Sequence, residues 1–477
     1  MSDCCAHKSE SKKNHLVIIG GGSAAFSAAI KGSELGAKVT IINDGLPIGG
    51  TCVNVGCVPS KTLIRAAEVQ HRARHHQFKG IASDSKVTDF KALLQQKKEL
   101  VESLRQAKYL DVVADLPDFR LIEGRARFAA SDTVKVNNET IKANRILIAT
   151  GATSYIPPVP GLEESGYLTN VSAFELTELP ESMIVLGGRY IALECAQMFA
   201  RLGTKVTMLQ RSPRILPTES DDLTDELTRY LIDEGIDVVT SVALEQISKE
   251  DGKVVVKAKV NGQEKMFQAE HILVTTGRTP NTKNMELENI GVRLDDKGFI
   301  KVNDQLQTSV RNIYAAGDVV GEPMFVYTAA YEGALAAENA MNNASKERDY
   351  TALPWVIFTD PQVAGVGIDE QEAKKQGIDA DVSKLPLSHV PRSIAARDTR
   401  GFIKLIRDKK TDRLIGARVL APEGSELLME VSLAIRHGIT VKEIVSAFHP
   451  YLTLSEGIKL AAITFGKDVS KLSCCAT

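Results

Sequence analysis

Two strand–glycine turn–helix–strand units, at His15 to Asp44 and Ser182 to Gln210, and a pair of cysteines five apart between them predict an α/β chain with two Rossmann-like nucleotide-binding domains. In the first unit the apolar run Leu16–Ile19 reads as a buried strand, Gly20-Gly-Gly-Ser-Ala-Ala25 as the turn, and the stretch to about Leu35 as a helix. Lys38–Ile42 is the next strand. Gly20, Gly22 and Ala25 stand where a tight turn, close backbone approach to a pyrophosphate and close helix packing each demand a small residue. Ser23 and Ala24 complete the cofactor-binding turn, and the N-terminus of the helix that follows faces the negative charge. The acid that would close the second strand is displaced, with Asn43 in its place and Asp44 next. Either can accept a hydrogen bond from a ribose hydroxyl.

The second unit repeats the pattern with Met183–Leu186, Gly187-Gly-Arg-Tyr-Ile-Ala-Leu-Glu194 and Lys205–Leu209. Arg189 replaces the middle glycine, so it either crowds the phosphates or contacts them. Gln210 takes the position of the acid that would favour a 2′-hydroxyl, and Arg211 and Arg214 follow. A lost carboxylate and added cations suit a 2′-phosphate, hence NADPH over NADH; the alternative is a solvated basic turn.

Between the units lies Gly49-Gly-Thr-Cys-Val-Asn-Val-Gly-Cys-Val-Pro-Ser-Lys61, with Cys52 and Cys57. Two nucleotide folds and a dithiol in one chain suggest electron flow from a nicotinamide through a flavin to sulfur. Beyond it, Leu93, Leu94, Leu100, Val101 and Leu104 fall at near-helical spacing and predict one long amphipathic helix from Phe90 to Asp115.

Composition narrows the function classes. At 477 residues, 43% hydrophobic and 25% charged, the chain is long enough for several globular domains. Its 58 basic and 60 acidic side chains leave a net charge of -2, so no global field favours nucleic acid or an anionic membrane. No apolar run is long enough to span a bilayer, and the polar start lacks the apolar centre of a secretion signal. The expected location is cytoplasmic, where paired cysteines are more often catalytic or metal-binding than structural. Two further vicinal pairs, Cys4-Cys5 and Cys474-Cys475, sit near the chain ends, and Cys195 reads as a buried structural thiol.

The redox stretch 49–61, Ala149-Thr-Gly151, Thr276-Gly-Arg-Thr-Pro-Asn281 and Tyr314-Ala-Ala-Gly-Asp318 occur in the order seen in the pyridine nucleotide-disulfide oxidoreductase family, which the chain resembles over nearly its whole length. The resemblance implies a glutathione-reductase-like architecture. An FAD domain with the redox dithiol covers 1–155, an NADPH domain 156–280, a central segment completing the FAD site 281–350, and an α+β C-terminal dimerisation domain 351–477. It implies that Asp318 bonds the FAD ribityl chain, and that Thr150 and Gly151 lie near the flavin. Gly50, Thr51, Lys61, Gly187 and Gly277 join the cofactor-binding set on the same ground. Cys52 is then the outer, exchanging thiol and Cys57 the flavin-facing one, with Lys61 paired to Glu194 beside the nicotinamide and Tyr190 covering its pocket.

The family's His-Pro-Thr-x-x-Glu motif reads here His449-Pro-Tyr-Leu-Thr-Leu-Ser-Glu456, with the carboxylate seven residues on rather than five. That spacing argues against an acid–base dyad of His449 and Glu456 and leaves His449 as a packed or surface residue. Pro450-Tyr-Leu-Thr453, the tail Val469-Ser-Lys-Leu-Ser-Cys-Cys475, Phe358-Thr-Asp-Pro-Gln-Val-Ala364 and Asp398-Thr-Arg-Gly-Phe-Ile-Lys404 are similar to the mercuric reductases within that family, in a form lacking the amino-terminal metal-carrying domain. The implied substrate is Hg(II) delivered as thiol complexes. Cys474 and Cys475 of one subunit of a homodimer capture it, Cys52 and Cys57 of the other are the metal ligands at the reduction site, and Tyr109 and Tyr451 line that site. Soft thiolates are the ligands such an ion selects, and the tyrosines orient or tune. Alternatives from other classes remain: a disulfide reductase of thioredoxin-reductase type with a C-terminal dithiol relay, or a non-enzymatic mercury-sequestering thiol protein.

Overall fold

The computed structural model describes residues 14–468, so Cys4, Cys5, Cys474 and Cys475 lie outside the described residues. Two compact units divide the chain. The first takes the residues up to Pro59, Gln95–Tyr155 and Gly277–Asp349, and the second takes Ser60–Leu94, Ile156–Thr276 and the residues from Tyr350 onward.

In the first unit a five-stranded parallel sheet runs in the order Ile313–Ala315, Arg145–Ile148, His15–Ile19, Lys38–Asn43, Phe119–Glu123. Leu16, Val17 and Ile18 are fully buried, because helices or loops cover both faces of such a sheet and every strand position is interior. The helix Ser23–Glu34 packs on one face against the helix Val326–Asn342. Gly333 permits the approach: a Cβ there would lie 2.1 Å from the Ala24 carbonyl oxygen. The long helix expected from Phe90 to Asp115 is interrupted. An α-helix, Phe90–Arg105, passes into a π-helical turn, Gln106–Leu110, before the short helix Asp111–Ala114. In an unbroken α-helix Lys108 falls under Val101, seven residues on. The wider turn brings Tyr109 to that face instead, and Lys108 stays exposed while Tyr109 is half-buried.

In the second unit a parallel sheet of Asp237–Val239, Lys205–Leu209, Ser182–Leu186 and His271–Val274 repeats the nucleotide-binding pattern. A three-stranded antiparallel sheet, Val242–Glu250, Lys253–Val260 and Gln263–Ala269, continues it. The C-terminal residues form a five-stranded antiparallel sheet ordered Trp355–Ile357, Gln362–Gly367, Leu414–Ala421, Phe402–Asp408, Ala380–Pro386. The helix Leu428–His437 packs on it through Leu428, Val431 and Ala434, while Met429 and Leu433 are exposed. Among the described residues no helix is long and apolar enough to cross a membrane.

Candidate active site

The first unit builds its glycine turn from backbone. Gly20 has φ +122°, and a Cβ there would lie 2.1 Å from the Ala149 carbonyl oxygen, so only glycine fits the turn. The helix Ser23–Glu34 has Gly22 as its cap, no side-chain cap and no acid in its first turn, which leaves its N-terminal amides for an anion. The redox segment lies directly on this turn. Gly49 N donates to the Gly21 carbonyl at 2.8 Å, and a Cβ on Gly50, at φ +62°, would lie 2.7 Å from the Gly22 Cα. Thr51, Cys52 and Cys57 follow, all half-buried, with Cys52 in the helix Gly50–Val55 and Cys57 opening the helix Cys57–His75.

Asn54, between the cysteines, donates to the carbonyls of Pro47, Ile48 and Gly50 at 2.9, 3.1 and 2.8 Å, and Arg105 Nη1 donates to its Oδ1 at 3.1 Å. The π-helical turn that follows Arg105 presents Tyr109, whose hydroxyl lies 3.5 Å from Ser23 Oγ and whose ring meets Phe26 edge-on at 4.9 Å. Burial pushes the Tyr109 phenol above its ordinary pKa; the Ser23 hydrogen bond opposes this, and the charges of Cys52 and Cys57 add to it.

Ala149–Gly151 and Arg278–Asn281 are laced together. Thr150 Oγ1 donates to the Asn281 carbonyl at 2.8 Å, Asn281 Nδ2 returns to the Thr150 carbonyl at 2.9 Å, and Asn281 N donates to the Gly151 carbonyl at 3.0 Å. Gly151 sits at φ +67° with nothing within 4 Å of where a Cβ would be. Gly277, at φ +144°, accepts a 2.9 Å bond from Tyr155 N. Burial raises the Asp318 carboxyl pKa, with Arg278 at 3.4 Å opposing it. Arg278 Nε is buried with no partner, an orphaned donor beside Asp318. The bare helix N-terminus, the open space at Gly151 and this polar pair fit a dinucleotide flavin. Asn43 is turned inward, its Nδ2 donating to the Leu46 carbonyl at 3.0 Å, while Asp44 is exposed.

In the second unit Gly187 adopts φ +126°, with a hypothetical Cβ 2.8 Å from the Thr275 carbonyl oxygen. Arg189 is the cap of the helix Tyr190–Leu202, extended at φ -112° and exposed, so its side chain does not fill the turn. Gln210 is buried and donates to the Arg214 carbonyl at 3.3 Å. Arg214 is ion-paired to Asp221, while Arg211 is exposed. A helix start without a side-chain cap bond, with the exposed Arg189 at the cap position, fits the phosphates of a nicotinamide dinucleotide.

Lys61 Nζ donates to Glu194 Oε2 at 2.7 Å, and Glu194 Oε1 accepts from Phe358 N at 3.0 Å. The ammonium also lies 4.5 Å from the centre of the Phe358 ring. Tyr190 stands beside Trp355 with ring centres 6.0 Å apart. Cys195 is fully buried and its thiol is pushed up to about 12, chiefly by burial, as a structural thiol would be. His449 has a carboxylate after all. Its Nε2 lies 2.7 Å from Glu430 Oε1, on the helix Leu428–His437, whereas Glu456 accepts from Leu452 N at 3.2 Å. Sequence spacing held no sign of Glu430, which comes from a different element. Tyr451 is exposed. Arg105, Arg278 and Phe358 were likewise unassigned from sequence, although the last two stand inside motifs that were.

Comparison with known proteins agrees with this geometry. Residues 14–333 match the family model described as pyridine nucleotide-disulphide oxidoreductase, and residues 353–462 match its dimerisation domain. The chain is 44% identical over 461 residues to a mercuric reductase of Staphylococcus aureus, covering 97% of this chain and 84% of that one. It is 41% identical to a mercuric reductase of Streptomyces lividans, covering 97% and 98%. Among solved structures, the Cu(II) complex of the HOCl-induced flavoprotein disulfide reductase RclA from Escherichia coli aligns with a TM-score of 0.86 at 30% identity, over 95% of this chain and all of that one. The chain belongs to the pyridine nucleotide-disulphide oxidoreductase family, in its mercuric reductase branch.

Proposed function

We propose that this chain is an NADPH- and FAD-dependent oxidoreductase that reduces Hg(II) to Hg(0), and that its cysteine pairs pass the ion along by exchange. The observation that carries the reading is the redox segment resting on the flavin-type glycine turn, with Gly49 bonded to Gly21 and Gly50 against Gly22. The balance is NADPH plus Hg(II) giving NADP⁺, H⁺ and Hg(0). FAD, held by Gly20, Gly22, Ser23, Ala24, Ala25, Thr150, Gly151 and Asp318, supplies two-electron transfer between nicotinamide and sulfur when bound. Gly187 and Tyr190 with Arg211 hold NADPH, and the Lys61–Glu194 pair stands beside the nicotinamide.

Cys474 and Cys475 of one subunit take Hg(II) from external thiols, each new S–Hg bond forming as an old one breaks and a thiol leaves. Cys52 and Cys57 of the other subunit receive it by the same exchange, so the ion never passes through water unbound. Tyr109, with its phenol held protonated above the ordinary range, orients the thiolates and donates rather than ligates. The homodimer follows from the dimerisation-domain match, and the exposed Met429, Leu433, Phe448 and Leu452 suit a buried subunit face.

The test is NADPH oxidation by purified, flavin-loaded protein with Hg(II) in excess small thiol, against oxidised glutathione or thioredoxin. Cys52→Ala and Cys57→Ala should abolish Hg(II)-dependent turnover. The double variant Cys474→Ala, Cys475→Ala should lose most when mercury arrives thiol-bound, and unchanged rates there refute the tail as the entry point. The His449–Glu430 pair favours a second reading, disulfide reduction with His449 as acid–base group. Turnover with disulfides but not with Hg(II) selects it.

A further inference from the structure

The stretches 358–364 and 398–404, which resemble mercuric reductases, contain no cysteine and lie outside both glycine turns. Both converge on Asp360. The helix Tyr190–Leu202 presents Glu194, Gln197 and Arg201 on one face, three and four residues apart. Each grips the strip 358–360. Phe358 N donates to Glu194 Oε1 at 3.0 Å. Asp360 N donates to Gln197 Oε1 at 2.7 Å, and Gln197 Nε2 donates back to the Asp360 carbonyl at 2.9 Å. Arg201 Nη1 reaches Asp360 Oδ2 at 3.0 Å while its other nitrogens clamp Glu234 at 2.7 and 2.6 Å. From the second motif, Arg400 Nη2 reaches Asp360 Oδ1 at 3.1 Å and also bonds Asp398 at 2.7 Å. The side chains of Arg201 and Asp360 are 3% and 4% exposed.

We propose that Phe358 and Asp360 are positioning residues for Lys61. The amide of Phe358 orients the Glu194 carboxylate, its ring takes the Lys61 ammonium on its face, and Asp360, locked by Gln197, Arg201 and Arg400, fixes that strip against the helix. Lys61 is thereby held from two sides, by a carboxylate and by an aromatic face, both set by one three-residue strip. A buried arginine–carboxylate cluster costs desolvation on every charge. Here it immobilises the segment that carries the Lys61 wall. The catalytic consequence rests on the proposed place of Lys61 beside the nicotinamide; the positioning itself does not.

The experiment has two arms on the purified holoenzyme. Acylation of Lys61 by an amine-directed reagent is followed by mass spectrometry and normalised to the exposed Lys410 of the same molecule. Phe358→Leu should raise Lys61 labelling about fivefold, and Phe358→Tyr, which keeps the ring face, should stay within about twofold of the parent. Gln197→Met, which frees the strip without touching Phe358, should also raise it. If Phe358→Leu does not fold, Gln197→Met decides alone. Parent-level labelling in the folded variants overturns the proposal. The second arm is the rate of flavin reduction by NADPH in the same variants. Raised labelling with a slowed rate supports both statements. Raised labelling with an unchanged rate keeps the positioning and refutes the place of Lys61 beside the nicotinamide.

Discussion

The two glycine turns begin alike and end in different company. Gly20 and Gly187 have φ +122° and +126°, and each lies under the carbonyl one residue past a neighbouring strand, Ala149 and Thr275, where a side chain would collide. Gly20 N and Gly187 N donate to the Ile42 and Leu209 carbonyls at 2.8 and 3.0 Å. The caps Gly22 and Arg189 are both extended, with ψ -168° in each. Past that point they diverge. The redox segment presses onto Gly22, whereas Arg189 and Tyr190 are exposed. Backbone geometry leaves an uncapped helix start at both. On the proposed assignment, what covers the turn separates a cofactor that stays from a dinucleotide that must arrive and leave each cycle.

The largest effect should come from spoiling the cover. Gly50→Ala places a Cβ 2.7 Å from the Gly22 Cα at a left-handed φ of +62°. The conformation alone costs roughly 1–2 kcal/mol, and the collision with backbone cannot be relieved by a rotamer. Flavin affinity should fall roughly a hundredfold, measured by flavin release on dilution. Flavin retained at parent affinity would mean that the redox segment does not enclose the turn. A smaller effect is expected at the open turn. Arg211→Ala should raise KM for NADPH about tenfold, from about 1.5 kcal/mol for a charge-assisted contact, and leave KM for NADH unchanged. Arg214→Ala should do less, because Asp221 already holds that guanidinium. The reverse order would hand the 2′-phosphate to Arg214.

Both turns and the redox segment were legible in the sequence because each is set by residues a few positions apart, whereas the Lys61–Glu194 pair joins residues 133 apart and was implied by the family resemblance alone. Glycine at position 20 announces its own φ. Other features depend on distant elements. Glu430 reaches His449 from a helix that no motif links to it, so the seven-residue gap to Glu456 correctly denied one dyad and gave no hint of the other. The π-helical turn at 106–110 leaves the apolar spacing of 93–104 intact and shows only in which of Lys108 and Tyr109 faces inward. Asn43 stands at the expected ribose position, yet it is buried, with its amide nitrogen donating to the Leu46 carbonyl. The convergence on Asp360 needs the fold to bring Arg201, on the helix Tyr190–Leu202, and Arg400, from the second motif, to the same carboxylate.

The smallest effect bears most directly on the contrast between the turns, because its sign decides. Restoring the family glycine with Arg189→Gly removes either an obstacle or a contact. The extended φ of -112° is open to any residue, and the exposed side chain leaves the turn itself unfilled, so glycine relieves no collision. It does delete a cation beside an uncapped helix N-terminus where phosphate is expected. A charge at that range is worth about 0.3–1 kcal/mol. KM for NADPH should therefore rise two- to fivefold, with the difference shrinking as salt screens it. A fall in KM would show that Arg189 crowds the phosphates, and that the second turn is an imperfect copy of the first rather than a turn adapted to a ligand that exchanges.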